Sequence, residues 1–140
     1  MRGPGVPANS INDNPVSTMD LAATFTDYGM ADPLLPQHAA SLKPVVEGHE
    51  QRNHARNEWG LLPTRTGVEL SLQTVRTRSM KLTKDMISGA GEMYDLAADP
   101  HEMTNLFDDP AQAATRAELE ALIDERPDDM LPLQTQVGLA

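Results

Sequence analysis

The chain has 140 residues, 21 of them acidic and 11 basic, for a net charge of −10. Nucleic acids and anionic membrane surfaces draw their affinity from Lys and Arg, so this balance argues against both as partners. No cysteine is present, which excludes a disulfide framework and any thiolate-ligated metal. The length admits one domain, and with aromatics at 4% its core must rest on Leu, Val, Ala and Met.

Residues 1–15 hold three prolines, two glycines and several Asn and Ser, which is loop composition. A free-standing domain and a piece of a larger protein both begin this way. The first seven residues lack the apolar middle of a signal peptide, and no apolar run approaches the ~18 residues of a membrane span. Ser17 then reads as a helix N-cap, with Asp20 completing a capping box three residues on. Leu21, Phe25 and Tyr28 fall on one stripe, and Gly29 suits the position just past the end. Capping is the role expected of Asp20. Prolines 33, 36 and 44 keep residues 30–48 as a connector.

Residues 49–67 are the most polar. His49, Glu50, Arg52, His54, Arg56 and Glu58 crowd before Trp59. His49 and His54 share neither a helix face nor a strand face, and a zinc site needs three or four ligands, so no metal site is assigned. The segment reads as a solvated loop entering a strand at Asn57–Trp59.

Residues 68–96 read as antiparallel sheet. Val68, Leu70 and Leu72 alternate with polar residues, but Val75 is out of phase, which predicts a bulge or break near Gln73. Thr74–Thr77 and Met80–Thr83 predict a hairpin around Arg78-Ser79. Arg76 and Lys81, across it, are expected to be solvated or paired with acids. Gly89–Gly91 turns into a strand over Glu92–Leu96. Asp99 then reads as an N-cap with Pro100 at the first helical position and Glu102 reaching back, while Asn105 closes the turn in the left-handed region. Residues 109–126 give the clearest helix: Asp109 caps, Pro110 follows, Thr115, Leu119, Leu122 and Arg126 form a stripe that Ala114, Ala121 and Ile123 widen, and Glu120 and Asp124 point away from it. Residues 128–140 form a tail of low periodicity.

Glu92-x-Tyr94-Asp95-Leu96-x-x-Asp99-Pro100-x-Glu102-x-x-Asn105-Leu106 resembles the C-terminal signature of sulfatases in the alkaline-phosphatase-like superfamily. Three further stretches resemble the same family. They are Pro15-Val16-Ser17 through Asp20-Leu21 and Thr24, Ser41-Leu42-Lys43-Pro44-Val45-Val46-Glu47-Gly48, and Val75-Arg76-Thr77 through Lys81-Leu82. The family's proline before the threonine is Ala23 here. Asp128-Asp129-x-Leu131-Pro132-Leu133 is similar to the close of some bacterial members.

The resemblance implies an α+β fold: a small antiparallel sheet of three to four strands, a C-terminal helix packed on one face, and a preceding helix that belongs to a larger α/β sulfatase domain. It places the end of that domain and a connector in residues 1–48 and the C-terminal α+β subdomain in 49–140. It implies sulfuric ester hydrolysis in the complete enzyme, with a formylglycine nucleophile and calcium. The partners it implies are the catalytic sulfatase domain and a sulfate ester substrate. His54, Arg56 and Trp59 are the substrate-binding residues it suggests. No catalytic residue carries over, because the chain has no Cys and no Ser-x-Pro-x-Arg from which a formylglycine could arise. Two alternatives stay open: a phosphonate or phosphate ester hydrolase of the same superfamily, and a non-catalytic binding or assembly module.

Overall fold

The computed structural model describes residues 3, 5–32, 38–61, 63 and 67–127. The tail at 128–140, with its Asp128-Asp129-x-Leu131-Pro132-Leu133 string, lies outside them. The chain divides into two compact units, Met1–Ala55 and Arg56–Ala140.

The first unit holds helix α1 (Asp20–Tyr28) and the short helix α2 (Lys43–Val46). The expected capping box is half made: the Ser17 amide donates to the Asp20 carboxylate at 2.8 Å, while the Ser17 hydroxyl accepts from Met19 N. Asp20 does more than cap. It is buried, and it also accepts from Ala40 N at 3.2 Å and from Arg52 Nη1 at 2.7 Å. Thr24, fully buried, donates to Asp20 O and accepts from Leu42 N at 2.8 Å. The inward face of α1 is therefore polar. The Leu21/Phe25 stripe points outward, with Phe25 68% exposed. Gly29 ends the helix with an ordinary right-handed φ, and the left-handed residue is Met30.

The second unit is built on the sheet, which follows the order β1-β2-β3-β4. Its strands are β1 (His54–Leu61, beginning two residues before the unit boundary), β2 (Leu70–Thr77), β3 (Met80–Asp85) and β4 (Gly91–Asp95). β2–β3 and β3–β4 are antiparallel, and the Arg78-Ser79 hairpin sets Arg76 opposite Lys81. β2 runs without a bulge, in continuous register from Leu72 opposite Asp85 to Arg76 opposite Lys81. The phase change near Gln73 has another cause: Leu70 and Leu72 lie on one face, and Val75 lies on the other. Val75, Leu82 and Met93 meet across three strands, and Phe107, Leu119 and Ile123 close the core over them.

Helix α3 (Ala113–Asp124) supplies Leu119 and Ile123, after a short 3₁₀ turn at Pro110–Gln112. Asp109 caps that turn by accepting from Ala111 N at 2.9 Å. The expected Leu119/Leu122/Ile123 face is the one packed on the sheet, with Leu119 and Ile123 buried and Leu122 half-buried against them. Glu120 does not point away: it accepts from Lys84 Nζ at 2.8 Å and from Arg116 Nε at 3.3 Å, fastening α3 to the sheet. Arg116 also lies 3.8 Å over the Phe107 ring, a cation–π contact.

The 99–106 segment forms no helix. Glu102 N donates to Asp99 O at 3.1 Å, and the Asp99 carboxylate takes the amides of Met103 and Thr104 at 2.7 and 2.8 Å. Glu102 itself adopts the left-handed conformation, which breaks the helical path. Its carboxylate turns to Lys81 Nζ instead of reaching back. Asn105 acts on the sheet edge. Its Oδ1 accepts from Met93 N and Phe107 N, both at 3.0 Å, and its Nδ2 donates to Gly91 O at 3.2 Å. Leu106 N meets Met93 O at 2.8 Å. The outer edge of β4 is thereby satisfied without a fifth strand, which an open edge would otherwise invite. Gly91 has no Cβ where the Phe107 ring crosses β4, and an added methyl would overlap that ring.

Asn105→Ala removes the acceptor for a buried amide. It is expected to destabilise the second unit by about 1–3 kcal/mol, the usual cost of an unmet buried donor. Urea unfolding of the two proteins checks this; equal midpoints would show that the clasp contributes nothing.

Candidate functional site

The three candidate substrate residues all lie on β1. His54 is its first residue and is half-buried. Side chains alternate along a strand, so Arg56 and Glu58 share one side while Trp59 projects to the other. Trp59 is 49% exposed. Arg56 is half-buried, and its Nη1 is buried without a hydrogen bond among the described residues. Glu58 is held by Arg126, just past the end of α3: Nε donates to Oε1 at 2.7 Å and Nη2 to Oε2 at 3.4 Å. That hydrogen bond raises the Arg126 pKa against the opposing effect of burial. The strand reaches back to His54, further than the expected start at Asn57, because β-geometry tolerates alternating polar residues that composition alone assigns to a loop.

Several of the acids serve structure. Asp20 holds α1, and Glu120 holds α3. The Glu120 pKa is lowered, first by the Lys84 hydrogen bond. Asp85, at the end of β3, accepts from the Ser88 hydroxyl and from the amides of Ser71, Ile87 and Ser88. These bonds, the Ser88 hydroxyl foremost, hold its pKa near 2. Tyr94 is raised by burial and then by Glu92. Among the described residues no group of three His, Asp or Glu is placed to hold a metal ion. With carboxylates committed to amides and cations, and with no formylglycine precursor, these residues do not fit the calcium and formylglycine of a sulfatase centre. A cleft of about 340 Å³ beside the start of α3, lined by Phe107, Asp108, Asp109, Arg116 and Glu120 among others, includes none of the β1 candidates.

Residues 1–129 match the family model described as N-sulphoglucosamine sulphohydrolase, C-terminal. The chain belongs to this sulfatase family. It is 32% identical over 115 residues to an N-acetylglucosamine-6-O-sulfatase of Bacteroides thetaiotaomicron, covering 76% of this chain and 20% of that protein. The solved structure of a 2-O GAG sulfatase superposes with a TM-score of 0.72 at 28% identity, covering 87% of this chain and 27% of the other. The phosphonate monoester hydrolase of Agrobacterium radiobacter superposes with a TM-score of 0.62 at 27% identity, covering 75% of this chain and 23% of the other. The chain thus spans a fifth to about a quarter of the length of these relatives. The α+β fold of a sulfatase C-terminal domain is the one observed. Sequence reasoning missed Arg52 and Arg126 as partners of Asp20 and Glu58, since nothing local marks contacts 32 and 68 residues away.

The Asp85 turn gives a pH test. Its folded pKa of about 2 lies below the ordinary 3.8. Its stabilising contribution is therefore complete above about 3.8 and is lost as pH falls through about 2. Ser88→Ala should move the Asp85 midpoint upward towards the ordinary value. An NMR titration of the Asp85 carboxyl carbon measures this, and an unmoved midpoint would remove the Ser88 hydroxyl as the chief cause.

Proposed function

We propose that the chain works as the C-terminal part of a sulfatase that hydrolyses sulfate esters of glycans. The match of the family model to residues 1–129 carries this reading. The nucleophile and metal, formylglycine and calcium in the family resemblance, belong to the catalytic part of the complete enzyme. The chain's own contribution is to support that part and to offer contacts at the substrate rim. The exposed indole of Trp59 suits stacking on a sugar ring. The Arg56 guanidinium suits an oxyanion, which its planar fork can bind bidentately. His54 stands at the start of the same strand. Because Arg56 and Trp59 leave β1 on opposite sides, they meet different parts of an extended sulfated glycan, in line with the names of the N-acetylglucosamine-6-O-sulfatase and the 2-O GAG sulfatase. The likeness to a phosphonate monoester hydrolase supports a second reading, in which the leaving oxyanion is a phosphonate.

The outward face of α1 supports the partner assignment. A helix that buries Asp20 and Thr24 and exposes Leu21 and Phe25 has its apolar stripe turned to a surface outside its unit. We assign that stripe to the catalytic part, where burial would stabilise by roughly 25 cal/mol per Å².

Two measurements test this. The purified chain should release no sulfate from an aryl sulfate, with or without calcium, and should support turnover when co-expressed with the catalytic part. In that complex Trp59→Ala and Arg56→Gln should each raise KM, and their effects should add, because the two side chains leave β1 on opposite sides. Turnover by the chain alone that survives repurification would refute the division of labour, and faster phosphonate than sulfate hydrolysis would favour the second reading. Separately, Phe25→Asp should leave the chain folded but weaken its association with the catalytic part by at least about tenfold, an effect of ~1.4 kcal/mol. Unchanged affinity in a pull-down titration would remove α1 from that interface.

A further inference from the structure

We infer that the Glu58–Arg126 ion pair is a positioning device: it holds Glu58 off Arg56 and so leaves the half-buried Arg56 guanidinium unpaired among the described residues, to be met by an oxyanion of the ligand. This rests on the proposed reading of Arg56 as a substrate-rim residue.

Residues two apart on a strand project to the same side, about 6.5–7 Å apart, so Glu58 is the nearest acid in sequence on Arg56's own side of β1. Left alone, the two would pair. Instead both Glu58 oxygens are occupied by one guanidinium, Oε1 by Arg126 Nε at 2.7 Å and Oε2 by Nη2 at 3.4 Å. Arg126 is delivered to that spot by α3, whose Leu119 and Ile123 are fixed in the sheet core. The consequence appears at Arg56, where Nη1 is buried without a hydrogen bond among the described residues. Buried polar groups are nearly always partnered, and an exception asks for a partner from outside the fold. In a chain with 21 acids, a guanidinium nitrogen left unmet is notable. The acceptor it suits is an oxyanion, whether the sulfate of an ester or the carboxylate of a uronate.

The test follows the Arg56 Nε–Hε resonance of the full chain by NMR. The chain is titrated with sodium sulfate and, in parallel, with sodium acetate, against sodium chloride at matched ionic strength. A saturable shift is expected in the native chain. A response to sulfate identifies the ester sulfate as the group received, and one to acetate alone identifies a sugar carboxylate. Arg126→Met should weaken the responding anion by about tenfold, because the freed Glu58 then pairs with Arg56. Adding Glu58→Gln to Arg126→Met should restore affinity to within about twofold of native, a rescue that general loss of structure cannot give. Glu58→Gln alone should leave the response intact. No saturable response of the native chain to either anion would overturn the rim reading of Arg56 and this inference with it. A native response that Arg126→Met leaves unchanged, or a double variant as weak as Arg126→Met, would overturn the positioning role alone.

Discussion

The buried Asp20 carboxylate is the interaction on which the first unit depends. Among the described residues of that unit the buried apolar side chains are Pro15, Leu42 and Val45. So few cannot order some fifty residues, so polar contacts must fix the chain. Asp20 accepts from Ser17 N, Ala40 N and Arg52 Nη1, and Arg52 in turn donates to Ala40 O and Ser41 O. One ion pair thus draws together the start of α1, the segment before α2 and the approach to β1. Removing one member of such a pair strands the other charge, at a cost of roughly 3–5 kcal/mol.

That choice has a consequence for the outside. A helix of nine residues has room for one inward face. When Asp20 and Thr24 occupy it, the apolar residues of the same helix must turn away. Phe25 and Leu21 are exposed because the hydrogen-bond network took the interior. In the second unit the usual order returns: Val75, Leu82 and Met93 are inside, and Lys84, Glu120 and Arg116 form the clamp around them. The two units therefore use different physics, polar in one and apolar in the other.

What was legible in the sequence follows the same division. Period-2 alternation and the Arg78-Ser79 turn placed the β2–β3 hairpin, because strand and turn signals are local. The Asp109-Pro110 start of the last helical stretch was readable for the same reason. The Asp99-Pro100 signals were equally local and placed a capped turn: the Asp99 carboxylate collects the Met103 and Thr104 amides, but Glu102, in the left-handed region, pairs with Lys81 instead of reaching back. Near Gln73, alternation could not tell a bulge from a strand with apolar residues on both faces. At the candidate site, the family resemblance named Arg56 and Trp59 together, and strand alternation sends them to opposite sides of β1.

Charge sets the remaining constraint. A net charge of −10 disfavours anions at long range, so under the proposed reading any anion this chain receives depends on a few cations placed at close quarters. Most of the described cations are already spent on structure: Lys43 faces Asp27, Arg52 faces Asp20, Lys81 faces Glu102, Lys84 and Arg116 face Glu120, and Arg126 faces Glu58. Each pair also cancels a charge that would otherwise act on an anionic ligand. A guanidinium kept out of such pairing, as at Arg56, then carries more weight than the same residue would in a basic protein. Under the proposed reading, an anionic ligand whose oxyanion misses Arg56 meets that repulsion with nothing to offset it.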